Sequence, residues 1–125
     1  MTGDEGVIAR ALEIIEIDEV VRFLGTPDAA CFSEGERAYA GSKSDPERRL
    51  AARLAAKRAA ARLLGSPVTL ADVEVVRDRP GPPRLRLSPP AQARLLALGA
   101  AEAMVSLTHE RHHAAAAVLL LRGRG

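Results

Sequence analysis

Apolar and polar residues alternate over residues 11–17, ALEIIEI, where Leu12, Ile14 and Ile15 stand around Glu13 and Glu16 before Ile17. The alternation predicts a first strand, running into a helical turn at DEVVRFL. Gly25, Pro27 and Asp28 then break the chain. In FSEGERAYAGS, Ser33 is followed three residues later by Glu36. That capping box predicts a short helix ending near Gly41. The next start is KSDPERRL: Asp45 as N-cap, Pro46 at the first helical position, Glu47 at the positive helix end. A long helix then runs to about Leu64, with Gly65 as its stop.

Beyond Gly65 the period changes. DVEVV alternates, RDRPGPP turns and RLRLS alternates again, which predicts a β-hairpin with Val73, Val75, Leu85 and Leu87 on its apolar face. SPPAQARLLALG predicts a helix opened by Ser-Pro and closed at Gly99. AEAMVSLTHE and HAAAAVLLL predict two further strands around HERH. Strand, helices, hairpin, helix, hairpin is an α+β order, with a mostly antiparallel sheet and helices on one face.

A chain of 125 residues suits one domain, 1–125. At this size the surface fraction stays high, so oligomerisation helps. Hydrophobic residues make up 47% and aromatics 2%. Ala, Leu and Val must therefore fill the core, which favours a helix lying tight on a sheet. The scarcity of aromatics removes the stacking platforms that single-stranded nucleic acids use, and a net charge of +2 is too small to argue for DNA. The single cysteine, Cys31, excludes an internal disulfide and suits a reducing cytoplasm. No signal peptide is visible in MTGDEGVIAR, and the longest apolar run, residues 114–121, is too short to span a bilayer.

The long helix concentrates cations: Arg48, Arg49, Arg53, Lys57, Arg58 and Arg62 against Glu47. Arg49, Arg53 and Lys57 share one side and Arg58 and Arg62 a neighbouring one. Such a stripe suits phosphates or an acidic partner, or is simply a solvated face. His109, His112 and His113 read as structural or surface histidines rather than metal ligands, because no cysteine or carboxylate spacing accompanies them. Glu13 and Glu16 are candidate ligands or solvated strand-end acids. Cys31 has no activating base beside it, and no phosphate-binding glycine loop is present.

Three blocks carry a resemblance to a known family. ALEIIEIDEVVRF resembles GxDIVEIxRI. CFSEGERAYAGSKSDPERRLAARLAAKRAAARLLG resembles FTxxExxY…RxAxRFAxKEAxxKALG. GPPRLRL…LG…VSLTHERHHAAAAVLL resembles GxPxxxL…G…xSISHxxxYAxAxV. Together they cover roughly residues 11–121 and are similar to the holo-acyl-carrier-protein synthases, the small 4′-phosphopantetheinyl transferases. The resemblance implies an antiparallel sheet packed against one long helix and shorter helices. It also implies a homotrimer whose sites lie between neighbouring subunits. The implied reaction moves the phosphopantetheine arm of coenzyme A to a serine of an acyl carrier protein. Magnesium neutralises the pyrophosphate, and cations hold the phosphates.

Position by position, the family's metal-ligand aspartate falls on Glu13, and its second ligand, the glutamate of KEA, falls on Arg58. The docking arginine of the opening motif falls on Glu19, with its sign reversed. Lys57 keeps the lysine of KEA, Arg62 replaces a later lysine, and His109 matches the histidine of SISH. The glycine-rich step after the helix shrinks to Gly65 and Ser66, and Pro82 stands where a lysine is frequent. The resemblance thus implies Glu13, Lys57 and His109 as catalytic, and Arg53, Lys57, Arg58, Arg62 and Gly65 as contacts to coenzyme A. Glu13 is the one remaining metal ligand, and magnesium is itself in question because a cation at position 58 repels it. Arg58 either grips the pyrophosphate directly or pairs with Glu13. Two functional readings stay open. One is a divergent transferase. The other is a catalytically altered homologue that acts as a binding module or in another reaction of a carrier-protein pathway.

Overall fold

The computed structural model describes residues 6–77 and 80–123. The alternating run starting at residue 11 is the second half of a longer strand, β1 (Val7–Glu16), its last residue Ile17 already opens α1 (Ile17–Phe23), and DEVVRFL continues that helix to its C-cap Leu24. A 3-10 turn at Pro27–Cys31 leads to α2 (Glu34–Gly41) and the long α3 (Pro46–Leu64). A second short turn, Leu70–Asp72, precedes β2 (Val73–Val76) and β3 (Arg84–Leu87). The chain closes with α4 (Pro89–Ala97), β4 (Ala100–His109) and β5 (His113–Arg122). Residues 78 and 79 of the predicted turn, and residues 1–5 of the N-terminal segment, lie outside the described residues.

The helix boundaries follow from local chemistry. Ser33 Oγ accepts from Glu36 N at 3.1 Å, and the Glu36 carboxylate accepts from Ser33 N at 2.8 Å, completing the capping box. Asp45 sits at the N-cap position of α3 but does not cap it. Its Oδ1 accepts from Arg49 Nε at 3.0 Å instead, a charge-assisted bond that outcompetes a neutral amide donor. Gly65 ends α3 with φ +77°, the left-handed conformation that glycine adopts without Cβ strain.

β1, β5 and β4 form one antiparallel sheet with β5 in the centre, and β2 pairs with β3 in a separate hairpin. Val73 faces Leu87 and Val75 faces Leu85, the four residues of the predicted apolar face. The apolar run at 114–121 is the middle of β5. Ala114, Ala116, Val118 and Leu120 point inward and are at most 1% exposed, and α3 packs across that side. Ala51, Ala52, Ala55, Ala56, Ala59 and Ala60 are likewise at most 1% exposed. Small side chains let α3 lie against the sheet while α1, α2 and β2 cover its other side. A helix buried on nearly every face is the interior layer of the fold.

Two charged residues are built into this interior. Lys57 is 0% and Glu36 1% exposed. Lys57 Nζ lies 2.8 Å from Glu36 Oε1 and also donates to the carbonyl of Val73, while Glu36 Oε2 accepts from Val75 N at 2.8 Å. One carboxylate thereby joins the start of α2, the middle of α3 and β2. Removing one partner of such a pair leaves an uncompensated charge in the core. Glu36→Ala should therefore lower unfolding free energy by about 3–5 kcal/mol in urea denaturation, and a loss below about 1 kcal/mol would mean the core rehydrates Lys57.

Candidate functional site

The cations of α3 divide into three groups. Arg58 and Arg62 reach solvent on the side of β1. Arg58 Nη1 is 2.6 Å from Glu19 Oε2 of α1, and its guanidinium lies 5.8 Å from the Phe23 ring centre. Arg62 Nη1 donates to Glu13 Oε2, and its Nη2 to the carbonyl of Leu12 at 3.1 Å. The Glu13–Arg58 pair, one of the two roles left open for Arg58, is thus not what forms: Glu13 belongs to Arg62 and Glu19 to Arg58. The reason is reach, since β1 passes the last turn of α3 while α1 passes the turn before it. The Arg58, Glu19 and Arg62 side chains are 31%, 40% and 55% exposed. Ion pairs as wet as these contribute about 0–1 kcal/mol each, so an incoming anion can claim the guanidiniums at little cost.

Arg53 is different. It is 3% exposed, stacks 4.3 Å from the Tyr39 ring centre, and donates Nη1 to the carbonyl of Arg49 at a long 3.4 Å. Its Nε and Nη2 have no hydrogen-bond partner among the described residues. Burial, chiefly, pulls the guanidinium below its ordinary pKa. Lys43 also lies over Tyr39, at 5.0 Å. His109, half-buried at the end of β4, faces Arg49, Asp45, Arg48 and Arg53. Asp45 is held below the usual carboxylate range by its bond from Arg49. Tyr39 was not singled out from the sequence, although it occupies the tyrosine position of the FTxxExxY block.

Lys57 forms the third group, and the structure does not bring it to either surface. Its ammonium is turned into the core, so the expected row of Arg49, Arg53 and Lys57 is neither a solvated face nor an open phosphate stripe. The row drifts inward because residues four apart advance by more than a full turn. Gly65 lies beyond α3 with Arg94 packed against it, Nε of Arg94 taking the carbonyl of Leu64 at 2.8 Å. His113 pairs with Glu110 at 2.9 Å, and no group of three metal-ligating side chains occurs among the described residues. Burial, chiefly, pushes the Cys31 thiol up, the opposite of an activated nucleophile.

Arg53 with His109 and Arg58 with Arg62 do not meet within one subunit. Nine residues separate Arg53 from Arg62, which is roughly 2.5 turns and 13 Å along the helix, on opposite sides of its axis. His109 lies on β4 and Glu13 on β1, the two edges of the sheet.

The chain is 34% identical over 122 residues to the holo-[acyl-carrier-protein] synthase of Anaeromyxobacter sp. (strain K), covering 91% of this chain and 95% of the relative. The chain belongs to the holo-acyl-carrier-protein synthase family. No family model matches it. Its fold superposes on the acyl carrier protein synthase of Mycobacterium tuberculosis with a TM-score of 0.72 at 34% identity, over 92% of this chain and 97% of that one. A coenzyme A complex of the Chronobacterium ammoniagenes synthase gives 0.76 at 26% identity, over 93% and 98%.

For this synthase homologue, the donor set does not fit the magnesium ion that the family resemblance implies. A divalent ion wants several hard oxygens with net negative charge. Here Glu13 is bonded by one guanidinium, position 58 is another, and Glu19 is bonded by that second one. Two of the departures from the family pattern, Glu19 and Arg58, are each other's partner.

Burial, followed by the Arg49 guanidinium, lowers the His109 pKa below its ordinary value near 6.5. The unfolded chain therefore takes up this proton first as pH falls. The stability held by neutral His109 is complete above about pH 6.5 and is lost as pH drops toward the folded value. Melting temperature should fall more steeply between about pH 7 and about pH 5 in the wild type than in His109→Gln. Parallel pH profiles would assign the loss to other groups.

Proposed function

We propose that this protein transfers 4′-phosphopantetheine from coenzyme A to a serine of an acyl carrier protein, as a single domain in a cytoplasmic homotrimer. The observation that carries the reading is Arg53. A buried guanidinium with two unpaired donors is costly, and a phosphate held by a planar fork is the chemistry that removes the cost. Lys43, Arg48, Arg49 and His109 around it favour an anion, and neutral His109 can orient a phosphate or hydroxyl. In the reaction the serine oxygen forms a bond to the arm's phosphorus, and the bond from that phosphorus to 3′,5′-ADP breaks. The serine proton leaves to solvent or a nearby base. Positioning and charge neutralisation supply most of the acceleration in such transfers.

The sheet supports assembly. Leu12 and Ile14 on β1 and Met104 on β4 are 60%, 63% and 49% exposed. With Ala115, Ala117 and Leu119 of β5 between them, they make an apolar strip opposite α3, bordered by Arg10 on β1 and by Ser106 and Thr108 on β4. Such a face on a small domain marks an interaction surface. A second copy seated there is the occupant that also answers the site geometry, because the β1 edge of one subunit can meet the β4 edge of another. Arg58 and Arg62 then share a cleft with a neighbouring Arg53 and His109.

A second reading is favoured by the ion pairs at positions 58 and 62: a homologue that binds a carrier protein or coenzyme A without transfer. Incubation with coenzyme A, magnesium and apo carrier proteins, followed by mass spectrometry, separates the two. The first reading expects the arm's mass on the carrier serine. No addition to any carrier, beside a working control enzyme, leaves the second. Arg53→Gln should weaken coenzyme A binding about tenfold or more with the fold intact by circular dichroism. Ile14→Asp should convert a trimer to monomers in sedimentation, and an unchanged mass would place the contact elsewhere.

A further inference from the structure

We propose that the Arg58–Arg62 edge holds the phosphates of its ligand without a divalent cation, the two fixed guanidiniums supplying the positive charge that a metal would bring. The inference rests on the transferase reading for the identity of the ligand, a phosphoanhydride, and on this chain's geometry for everything else. Arg58 and Arg62 are one turn apart on one side of α3, and side chains so placed start about 5–6 Å apart, close enough for neighbouring phosphates. Both reach solvent, unlike Lys57. Arg58 commits Nη1 to Glu19, and its planar fork can close bidentately on a phosphate.

Charge counting decides against a cation. Before any ligand arrives, this edge holds two guanidiniums and two carboxylates, each acid already bonded to a base. A divalent ion drawn to Glu13 would meet Arg62 in direct contact with the same carboxylate and Arg58 one turn away. Neither can lose its charge to accommodate it. A polyanion meets the reverse situation: it displaces Glu13 and Glu19 from the guanidiniums and leaves both acids free to turn to solvent. The edge therefore exchanges carboxylates for phosphates: its two guanidiniums match the two charges of a pyrophosphate diester, and the released Glu13 and Glu19 carry theirs into solvent.

The test titrates coenzyme A into the full chain by calorimetry, once with EDTA and once with millimolar magnesium. Affinities that agree within about twofold, and an Arg58→Gln variant weakened about tenfold or more in both buffers with an unchanged melting temperature, are the expected results. Magnesium tightening wild-type binding tenfold or more would overturn the inference while leaving the transferase reading standing. So would Arg58→Gln binding like the wild type. No binding in either buffer would remove the transferase reading, and the inference with it. Manganese titrated alone and followed by electron paramagnetic resonance gives an independent readout. No stoichiometric uptake by the wild type is expected, and uptake lost in Glu13→Gln would place a cation site where the arginines leave no room for one.

Discussion

The Glu36–Lys57 pair fixes the position of everything else on the long helix. A buried ion pair contributes little net stability against an apolar replacement, so its effect is geometric. Glu36 completes the cap of α2, accepts from β2 and takes the ammonium of α3, leaving one rotation of α3 that satisfies all of them. With that rotation set, helical spacing alone sends Arg53 under Tyr39 and turns Arg58 and Arg62 outward toward α1 and β1. The alanines make this possible, because a helix this closely wrapped has no room for larger residues at 51, 52, 55, 56, 59 and 60.

Burial sorts the cations by consequence. Lys57 has its partners in the core and positions the helix. Arg53 is nearly as buried but incompletely bonded, so its desolvation is less fully offset than that of Lys57. Arg58 and Arg62 reach solvent and are paired with Glu19 and Glu13. At positions 19 and 58 the carboxylate comes from α1 and the guanidinium from α3, so the positive charge of this edge belongs to the long helix.

Much of the fold was legible because its signals are local. The capping box at Ser33 and Glu36, the glycine stops at 65 and 99, and the period-two runs of the hairpin and of β5 each depend on a few adjacent residues. The family blocks were legible for the same reason, as short motifs in order. What the sequence left open was pairwise. Asp45 reads as a cap until Arg49, one turn on, claims it, and of the two roles open to Arg58 the pair with Glu13 gives way to one with Glu19 of α1.

The sequence by itself determined the element order, the α+β class and the concentration of cations on one helix, since periodicity and capping are written in near neighbours. Only the tertiary structure decided which cations were solvent's and which the core's. It put Lys57 on Glu36, left Arg53 short of acceptors, and set the two arginine groups at opposite edges of one sheet. Those outcomes depend on which face of α3 meets the sheet and which meets α2 and β2. That rotation is chosen by packing and by one buried carboxylate contributed from outside the helix.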